Sequence, residues 1–166
     1  MRRLALLPLL LAAACSEGGG EQPEKAKAPA DTTMEAGQWE TSTEVTQLTR
    51  LDEGAPAIDT PAGTRASFTS CIAEADRKRP PGALFAGTGA ECEYKEYYMA
   101  RGRMNASMSC SMPGIAGDVV MSVEGKNDAT SFEGTVSTAT QLPGSGDVRI
   151  ASTISGRKTG ACPAAG

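Results

Sequence analysis

The sequence predicts an all-β fold: a single antiparallel meander of about seven strands, barrel-like or a sandwich, with one short helix and two disulfides. Three observations support this prediction. Apolar residues recur at every second position along much of the chain, which is the period of a strand. Short turn-forming segments separate these stretches, and no helical stretch is long enough for a crossover between parallel strands. Four cysteines lie in the same part of the chain, enough for two bridges.

The N-terminus has the pattern of a secretory signal. Residues 1–3 are basic in character, residues 4–11 form an apolar run, and residues 12–14 are alanines that directly precede Cys15. The apolar run is shorter than the roughly 20 residues of a membrane-spanning helix. We therefore predict that residues 1–14 are a signal peptide. Residues 11–15 resemble the lipobox of bacterial lipoproteins, in which the cysteine is lipidated; ordinary cleavage after Ala14 is the alternative.

The number of cysteines favours lipidation of Cys15. The chain has five cysteines, an odd number for an oxidising compartment, and lipidation of Cys15 leaves Cys71, Cys92, Cys110 and Cys162. The mature chain would carry 14 basic and 20 acidic residues, a net charge of −6. This charge argues against nucleic acid as a partner and leaves the acyl chains as the membrane anchor. We predict a cell-envelope location, at the outer membrane facing the periplasm.

Residues 15–36 are predicted to be a lipidated cysteine and a disordered tether. The segment is rich in Gly, Pro, Glu, Lys and Ala, and Met34 is its only large hydrophobic residue after the cysteine. A flexible coil of this length spans roughly 25 Å, which would hold a domain clear of the lipid headgroups. The β domain is predicted to occupy residues 37–166.

The first elements of the domain are predicted from composition and from prolines. Residues 38–51 are rich in Thr, with Trp39, Val45 and Leu51 on one face, and predict a long first strand. Residues 66–71 predict a short second strand. Residues 72–79 predict two turns of helix, stopped by the proline pair at 80–81.

A hairpin over residues 91–112 is the clearest element. From Met104 to Met112, nine residues alternate strictly between apolar and polar. A three-residue turn at 100–102, with Gly102 in the left-handed position, would make the numbers of paired residues sum to 202. Tyr98 would then face Met104, and Tyr94 would face Met108.

The same register predicts the disulfides. Cys92 falls opposite Cys110 in a non-hydrogen-bonded pair, where Cα atoms lie about 4.5 Å apart and a disulfide can form. Cys71 and Cys162 are then left to join the start of the domain to its end. The other two pairings of four cysteines stay open at this point.

Three more strands complete the predicted meander. Residues 118–124 carry Val119, Met121 and Val123 on one face, residues 131–140 carry Phe132 and Val136, and residues 147–156 carry Val148, Ile150 and Ile154. The segments 125–128 and 142–147 that join them are rich in turn-forming residues.

The chain contains no histidine. This removes Ser-His-Asp and Cys-His catalysis and nearly all zinc enzymes from consideration. The sequence also has no glycine-rich phosphate-binding motif and no Cys-x-x-Cys pair. We therefore predict a protein that is not an enzyme and uses no cofactor.

Methionines on the hairpin are the most distinctive candidates for chemistry. Met104, Met108 and Met112 share one strand face, and thioethers can bind Cu(I). Tyr94 and Tyr98 would lie beside them. Methionine also fills irregular interiors and contacts aromatic rings, so we favour a packed core and keep the three methionines as the alternative.

Glu96 fits the predicted inward face least well. In the predicted register it shares that face with Tyr94 and Tyr98, where an unpaired carboxylate would be costly, as functional carboxylates often are. The plainer interpretation is that this end of the hairpin projects past the core and leaves Glu96 in water. The candidate ligand-lining residues are Tyr94, Tyr98, Met104, Met108 and Glu96.

Several short motifs resemble one bacterial envelope family. The motifs are Gly37-Gln38-Trp39-Glu40-Thr41, Thr69-Ser70-Cys71-Ile72, Ser131-Phe132-Glu133-Gly134 and the segment from Ser155 to Cys162. Their order and the placement of the cysteines resemble domain of unknown function 3617, from about Gly37 to Cys162. The resemblance implies an exported, often lipidated, all-β protein with cysteines, and it carries over no catalytic residue.

Three classes of function follow from these observations. The favoured one is a non-enzymatic envelope lipoprotein, an accessory or binding module that presents a β surface or a Met- and Tyr-lined interior to an apolar ligand or an envelope protein. The alternatives are a Met-based Cu(I) binding protein and a hydrolase that uses carboxylates alone, such as Glu96 with another acid nearby.

Overall fold

A computed structural model describes residues 33–56, 58–141 and 146–164. The predicted signal peptide, Cys15 and most of the predicted tether lie outside these ranges. Within them, no helix is long and apolar enough to cross a membrane.

Seven strands and one short helix make up the regular structure of the described residues. The strands are β1 (Gly37–Arg50), β2 (Arg65–Ile72), β3 (Glu91–Ala100), β4 (Arg103–Ser111), β5 (Asp118–Asn127), β6 (Ser131–Gln141) and β7 (Val148–Gly160). The helix is α1 (Ala83–Ala86), preceded by a single 3₁₀ turn at Glu74–Asp76. These elements confirm the all-β class and the number of strands.

The seven strands form one antiparallel sheet in the order β2-β1-β7-β6-β5-β4-β3. The last strand therefore pairs with the first, and β2 and β3 are the two edges. The sheet does not close, so the predicted barrel or sandwich is replaced by one open sheet. Residues 73–90, which connect the two edge strands, supply the reason: α1 contacts β1, β2 and β3, and it buries Leu84 and Phe85 against the inner face.

The short helix lies later in the chain than predicted. Residues 72–79 were expected to form two helical turns, but Ile72 ends β2 and is fully buried, and only the 3₁₀ turn follows it. The helix begins after the proline pair, because proline suits a first helical turn and the two large apolar residues that need burial come next. The hydroxyl of Thr41 donates to the Leu84 carbonyl oxygen at 3.0 Å and fixes the helix on the sheet.

The turn of the β3–β4 hairpin has two residues, not the predicted three. Arg101 (φ 54°) and Gly102 (φ 70°) both have positive φ, and Ala100 pairs with Arg103. A β-bulge between Tyr94 and Glu96 then shifts the register by one residue. The predicted pairs are therefore correct on the far side of the bulge and wrong near the turn.

Both predicted disulfides are present. Cys92 pairs with Cys110 across the hairpin, with Cα atoms 4.1 Å apart. Cys71 pairs with Cys162, with Cα atoms 5.6 Å apart, and joins edge strand β2 to the segment that follows β7.

The core lies on one face of the sheet. Trp39 is fully buried and stacks with Phe132 at 6.0 Å between ring centroids, and Phe85 meets Phe132 edge-on at 5.6 Å. A second cluster contains Val45 and further apolar residues of β1 and β7. Leu51, predicted to face the core, lies beyond the end of β1 and is 46% exposed.

The folded domain includes residues before the expected boundary at Gly37. Met34 is fully buried in the core, and the Glu35 N–H donates to the Ala129 carbonyl oxygen at 2.8 Å. The Trp39 indole donates to the Glu35 carbonyl oxygen at 3.0 Å, and Lys158 forms an ion pair with the Glu35 carboxylate at 2.7 Å. The end of the predicted tether is therefore part of the domain.

Two glycines allow the strands β5 and β6 to approach closely on the inner face. Gly125 and Gly134 lie directly opposite each other. A Cβ atom on Gly134 would collide with the Glu124 carbonyl oxygen and lie 2.8 Å from the Gly125 Cα atom. The backbone of β5 thus occupies the space that a side chain at position 134 would need.

Candidate functional site

The predicted Met-lined interior is packed core. Met104 and Met108 are 2% and 0% exposed and belong to one cluster with Ala106 and Cys110. Val119, Met121 and Val123 of the neighbouring strand belong to the same cluster. Met104 and Met108, two of the candidates for lining an apolar ligand, therefore belong to the packed core.

The methionines that formed the alternative Cu(I) site do not converge along their strand. Met104 and Met108 are four residues apart in β4, which corresponds to about 13 Å. Register instead places Met108 opposite Met121 and Met104 opposite Met99. The three-methionine set Met104, Met108 and Met112 is thus spread over the length of the strand.

Tyr97 takes the inward position that was predicted for Tyr98. Its ring packs edge-on against Tyr94, with centroids 5.1 Å apart. The Tyr94 hydroxyl donates to the Pro80 carbonyl oxygen at 2.8 Å, and the Arg79 guanidinium lies 4.9 Å from the Tyr94 ring centroid. Burial raises the pKa of both phenols well above the ordinary value of 10, against the opposing effect of Arg79. Both tyrosines are therefore protonated at neutral pH and act as structural contacts.

Tyr98 and Glu96 lie in water. Tyr98 is 53% exposed and pairs with Asn105 instead of Met104. Glu96 is exposed and pairs with Ser107, which agrees with the plainer of its two interpretations. The bulge after Tyr94 turns these two side chains away from the core, and no feature of the sequence marks that bulge.

The opposite, polar side of the sheet brings together residues that sequence reasoning did not connect. Register aligns two neighbouring rows that run across all seven strands. The first row is Tyr98, Asn105, Glu124, Thr135, Thr153, Glu44 and Arg65; the second is Ala100, Arg103, Lys126, Glu133, Ser155, Ser42 and Ser67. We call these two rows the outer face.

The outer face has three short polar side chains beside Glu133 near its centre, and further charged side chains towards its ends. Thr135, Thr153 and Ser155 are exposed threonine and serine residues on the two central strands β6 and β7. On the β1–β2 side, Arg65 forms an ion pair with Glu44 at 3.0 Å, and the hydroxyls of Ser42 and Ser67 are hydrogen-bonded at 3.0 Å. The three short side chains leave the sheet accessible beside Glu133.

This face has several shallow depressions, two of which extend over its centre. One, with a volume of about 750 Å³, extends from Ser42 to the turn at Arg101 and is lined by Arg103 and Lys126. The other, about 640 Å³, is lined by both rows at the centre of the sheet, including Thr135 and Thr153. Both open to solvent over polar side chains, in contrast to the filled inner face.

The sequence contains a signal for this face, although not for its rows. Most strands carry two polar residues separated by one position, such as Glu124 and Lys126 or Thr153 and Ser155. This alternation predicts an exposed face for each strand alone. Which polar residues become neighbours depends on strand order, above all on the pairing of β7 with β1.

Residues 34–162 match the family described as Protein of unknown function (DUF3617). The chain belongs to this family. The match covers all seven strands and both disulfides, and it confirms the resemblance noted in the sequence. No curated protein and no solved structure matches the chain. Family membership therefore establishes no activity for this DUF3617 protein, and its function has to be argued from its own residues.

Proposed function

We propose that this DUF3617 protein is a lipid-anchored, non-enzymatic binding protein of the cell envelope that holds a partner on the outer face of its sheet. One observation carries the proposal: the inner face is filled with core side chains, whereas the outer face is a continuous polar surface with two open depressions. A binding role through the β surface is thus better supported than uptake of an apolar ligand into the interior.

The residues favour binding over catalysis. The chain has no histidine, and burial raises the pKa of Tyr94 and Tyr97 further above neutral pH. The outer-face carboxylate of Glu44 is held by Arg65, and the adjacent carboxylate of Glu40 is held by Arg157 at 2.7 Å. Charged groups held in this way orient and select a partner, whereas an acid–base mechanism needs a group that can exchange a proton near neutral pH.

The anchor is supported by the sequence and has a direct test. The signal-like start, the lipobox-like residues 11–15 and the odd cysteine count all favour a lipidated Cys15. Intact-mass analysis of membrane-extracted protein should give a chain that starts at Cys15 and carries acyl mass. A water-soluble chain without acyl mass would contradict the anchor and leave the binding face to be tested separately.

The binding face is tested by photo-crosslinking in cells. A photoreactive amino acid is placed at Thr135 or Thr153, at the centre of the outer face. Matched controls carry it at Lys78 or Asp59, which are exposed but lie in loops away from that face. We expect discrete covalent adducts in the envelope fraction from the two threonine positions only.

Two results would contradict the proposal. Adducts of equal yield from the loop positions would indicate random collision, and absence of adducts from both threonine positions would remove the outer face as the binding surface. Each variant is checked for intact disulfides by alkylation before and after reduction, so that a misfolded chain is not counted as a negative result.

A further inference from the structure

One end of the outer face concentrates positive charge on an acidic protein. Arg103 and Lys126 lie directly opposite each other on β4 and β5, and Arg101 belongs to the adjoining turn. All three line the 750 Å³ depression. Within the described part of the chain, none of them has a carboxylate at ion-pair distance, whereas Arg65 and Arg157 do. We call these three residues the cationic cluster.

Like charges directly opposite each other destabilise a pair of strands. The Arg103–Lys126 pair is therefore unfavourable by itself, and the carboxylates of Glu133, opposite Lys126, and Glu124, diagonal to Arg103, offset part of this cost. The turn adds to this cost, because Arg101 adopts a positive φ of 54°, which residues other than Gly, Asn and Asp rarely do. Unfavourable local choices of this kind concentrate at functional sites.

The turn is fixed against the neighbouring strand. The Asn127 N–H donates to the Gly102 carbonyl oxygen at 3.1 Å, and a Cβ atom on Gly102 would lie 3.3 Å from the Asn127 carbonyl oxygen. The hairpin tip therefore packs on the end of β5. This contact keeps Arg101 and Arg103 beside Lys126 before any ligand binds, which lowers the entropic cost of binding.

Two of the nearby carboxylates are held by other groups, and two act on the cluster. Glu40 pairs with Arg157 at 2.7 Å. Asp128 accepts bonds from the Ser131 hydroxyl and the Ser131 N–H, both at 2.7 Å, and from the Thr130 N–H, so it serves its own turn. Glu133 lies opposite Lys126 in the same row, and Glu124 of the neighbouring row lines a depression together with Arg103 and Lys126.

We propose that the cationic cluster binds a phosphate group. Two guanidinium groups and one ammonium group match the charge and the several acceptor oxygens of phosphate, and arginine forms paired hydrogen bonds to it. This inference rests on the proposed function in that it names the ligand chemistry at one end of the same face. The phosphate belongs to a lipid headgroup or to a soluble phosphorylated ligand.

The test uses the full chain in a neutral detergent at low ionic strength, where exposed charges are least screened. Inorganic phosphate is titrated while backbone amide shifts are recorded by NMR. We expect saturable shifts confined to residues 101–103 and 126–128. Arg103→Gln and Lys126→Gln should each weaken binding about 10-fold, as expected for loss of a hydrogen bond to a charged group. Arg149→Gln, an exposed arginine of β7 outside the depression, should leave it unchanged.

A second variant makes the test independent of folding defects. Glu133→Gln removes the negative charge opposite Lys126 and should tighten phosphate binding about 2- to 3-fold, the effect of one unit charge some 7 Å away in water. A variant that merely damaged the fold would not gain affinity. Soluble short-chain phosphatidylglycerol is titrated in parallel, and tighter binding of it than of inorganic phosphate identifies a headgroup as the source.

Absence of saturable shifts with both probes would overturn the phosphate site, as would equal binding by Arg103→Gln and the wild type. Both results are independent of the photo-crosslinking experiment at Thr135 and Thr153. If those adducts persist while phosphate binding fails, the outer face is still a binding surface and only the ligand chemistry is wrong.

Discussion

Gly134→Ala is the most direct test of how the sheet is shaped. The added methyl group would collide with the Glu124 carbonyl oxygen and lie 2.8 Å from the Gly125 Cα atom. Both are backbone atoms of the paired strand, so no side-chain rotation can relieve the contact. Gly160, in β7, offers a matched control, because a Cβ atom there meets nothing within 4 Å.

The size of the effect follows from what has to move. Overpacking typically costs 1–3 kcal/mol, and a collision with backbone should fall at the upper end, at about 3 kcal/mol. For a domain of this size the dependence of unfolding free energy on urea is about 2 kcal/mol per molar. We therefore expect the urea midpoint of Gly134→Ala to fall by about 1.5 M. Gly160→Ala should leave it unchanged or raise it slightly, because alanine reduces the freedom of the unfolded chain.

The assay is equilibrium urea unfolding followed by fluorescence of Trp39, the only tryptophan, under non-reducing conditions. Trp39 is fully buried and stacks on Phe132, so its emission reports on the core. If the midpoints of the two alanine variants differ by less than about 0.5 M, then β5 and β6 do not approach as described. The argument that glycine is required at position 134 would then be refuted.

Three further predictions concern stability. Met34→Ala should lower the unfolding free energy by about 2–4 kcal/mol in urea titrations, because this fully buried side chain belongs to the core. A change near zero would mean that Met34 belongs to the tether and not to the folded domain. Replacing Cys71 and Cys162 by alanine should lower the unfolding free energy more than replacing Cys92 and Cys110, by about 4.6 against 3 kcal/mol, because the two bridges close loops of 91 and 18 residues. The opposite order of urea midpoints would contradict this prediction. The Ser131 hydroxyl and the Thr130 N–H lower the pKa of Asp128 below its ordinary 3.8, so the stabilisation by this carboxylate is present at neutral pH and is lost as pH falls through the lowered pKa. Asp128→Asn should therefore show a smaller loss of melting temperature than the wild type between neutral and strongly acidic pH. Parallel curves of melting temperature against pH for the two proteins would contradict this prediction.

Local patterns identified the hairpin but not all of its register. Nine alternating residues and a glycine near the turn were sufficient to predict β4, its partner strand and the Cys92–Cys110 bridge. The two-residue turn and the compensating bulge were missed, because Arg101 is an unusual residue for positive φ and a bulge leaves no mark in a periodic sequence. The predicted and the observed register differ by one residue near the turn. As a result, Tyr97 lies on the inner face and Tyr98 on the outer face, the reverse of the prediction.

The short helix and the start of the domain were missed for a related reason. Residues 72–79 have a composition compatible with helix, yet burial is what selects helix here, and the residues that become buried are Leu84 and Phe85. Met34 lies in a stretch with the composition of a tether. Its burial arises because the neighbouring Glu35 contacts Ala129 and Lys158, which are about a hundred residues away in the chain.

The sequence by itself determined the fold class, the approximate number of strands, the favoured pairing of the four cysteines and membership of the DUF3617 family. These properties depend on the alternation of apolar and polar residues, on the spacing of the cysteines and on turn-forming residues, and all three can be read from the sequence directly. Only the tertiary structure decided that the sheet stays open, that the methionine face is filled and that Arg103 and Lys126 meet in one row of the outer face. Those features depend on strand order and register, since a neighbour across a sheet is set by pairing between distant segments and by the space that residues 73–90 occupy between the two edges.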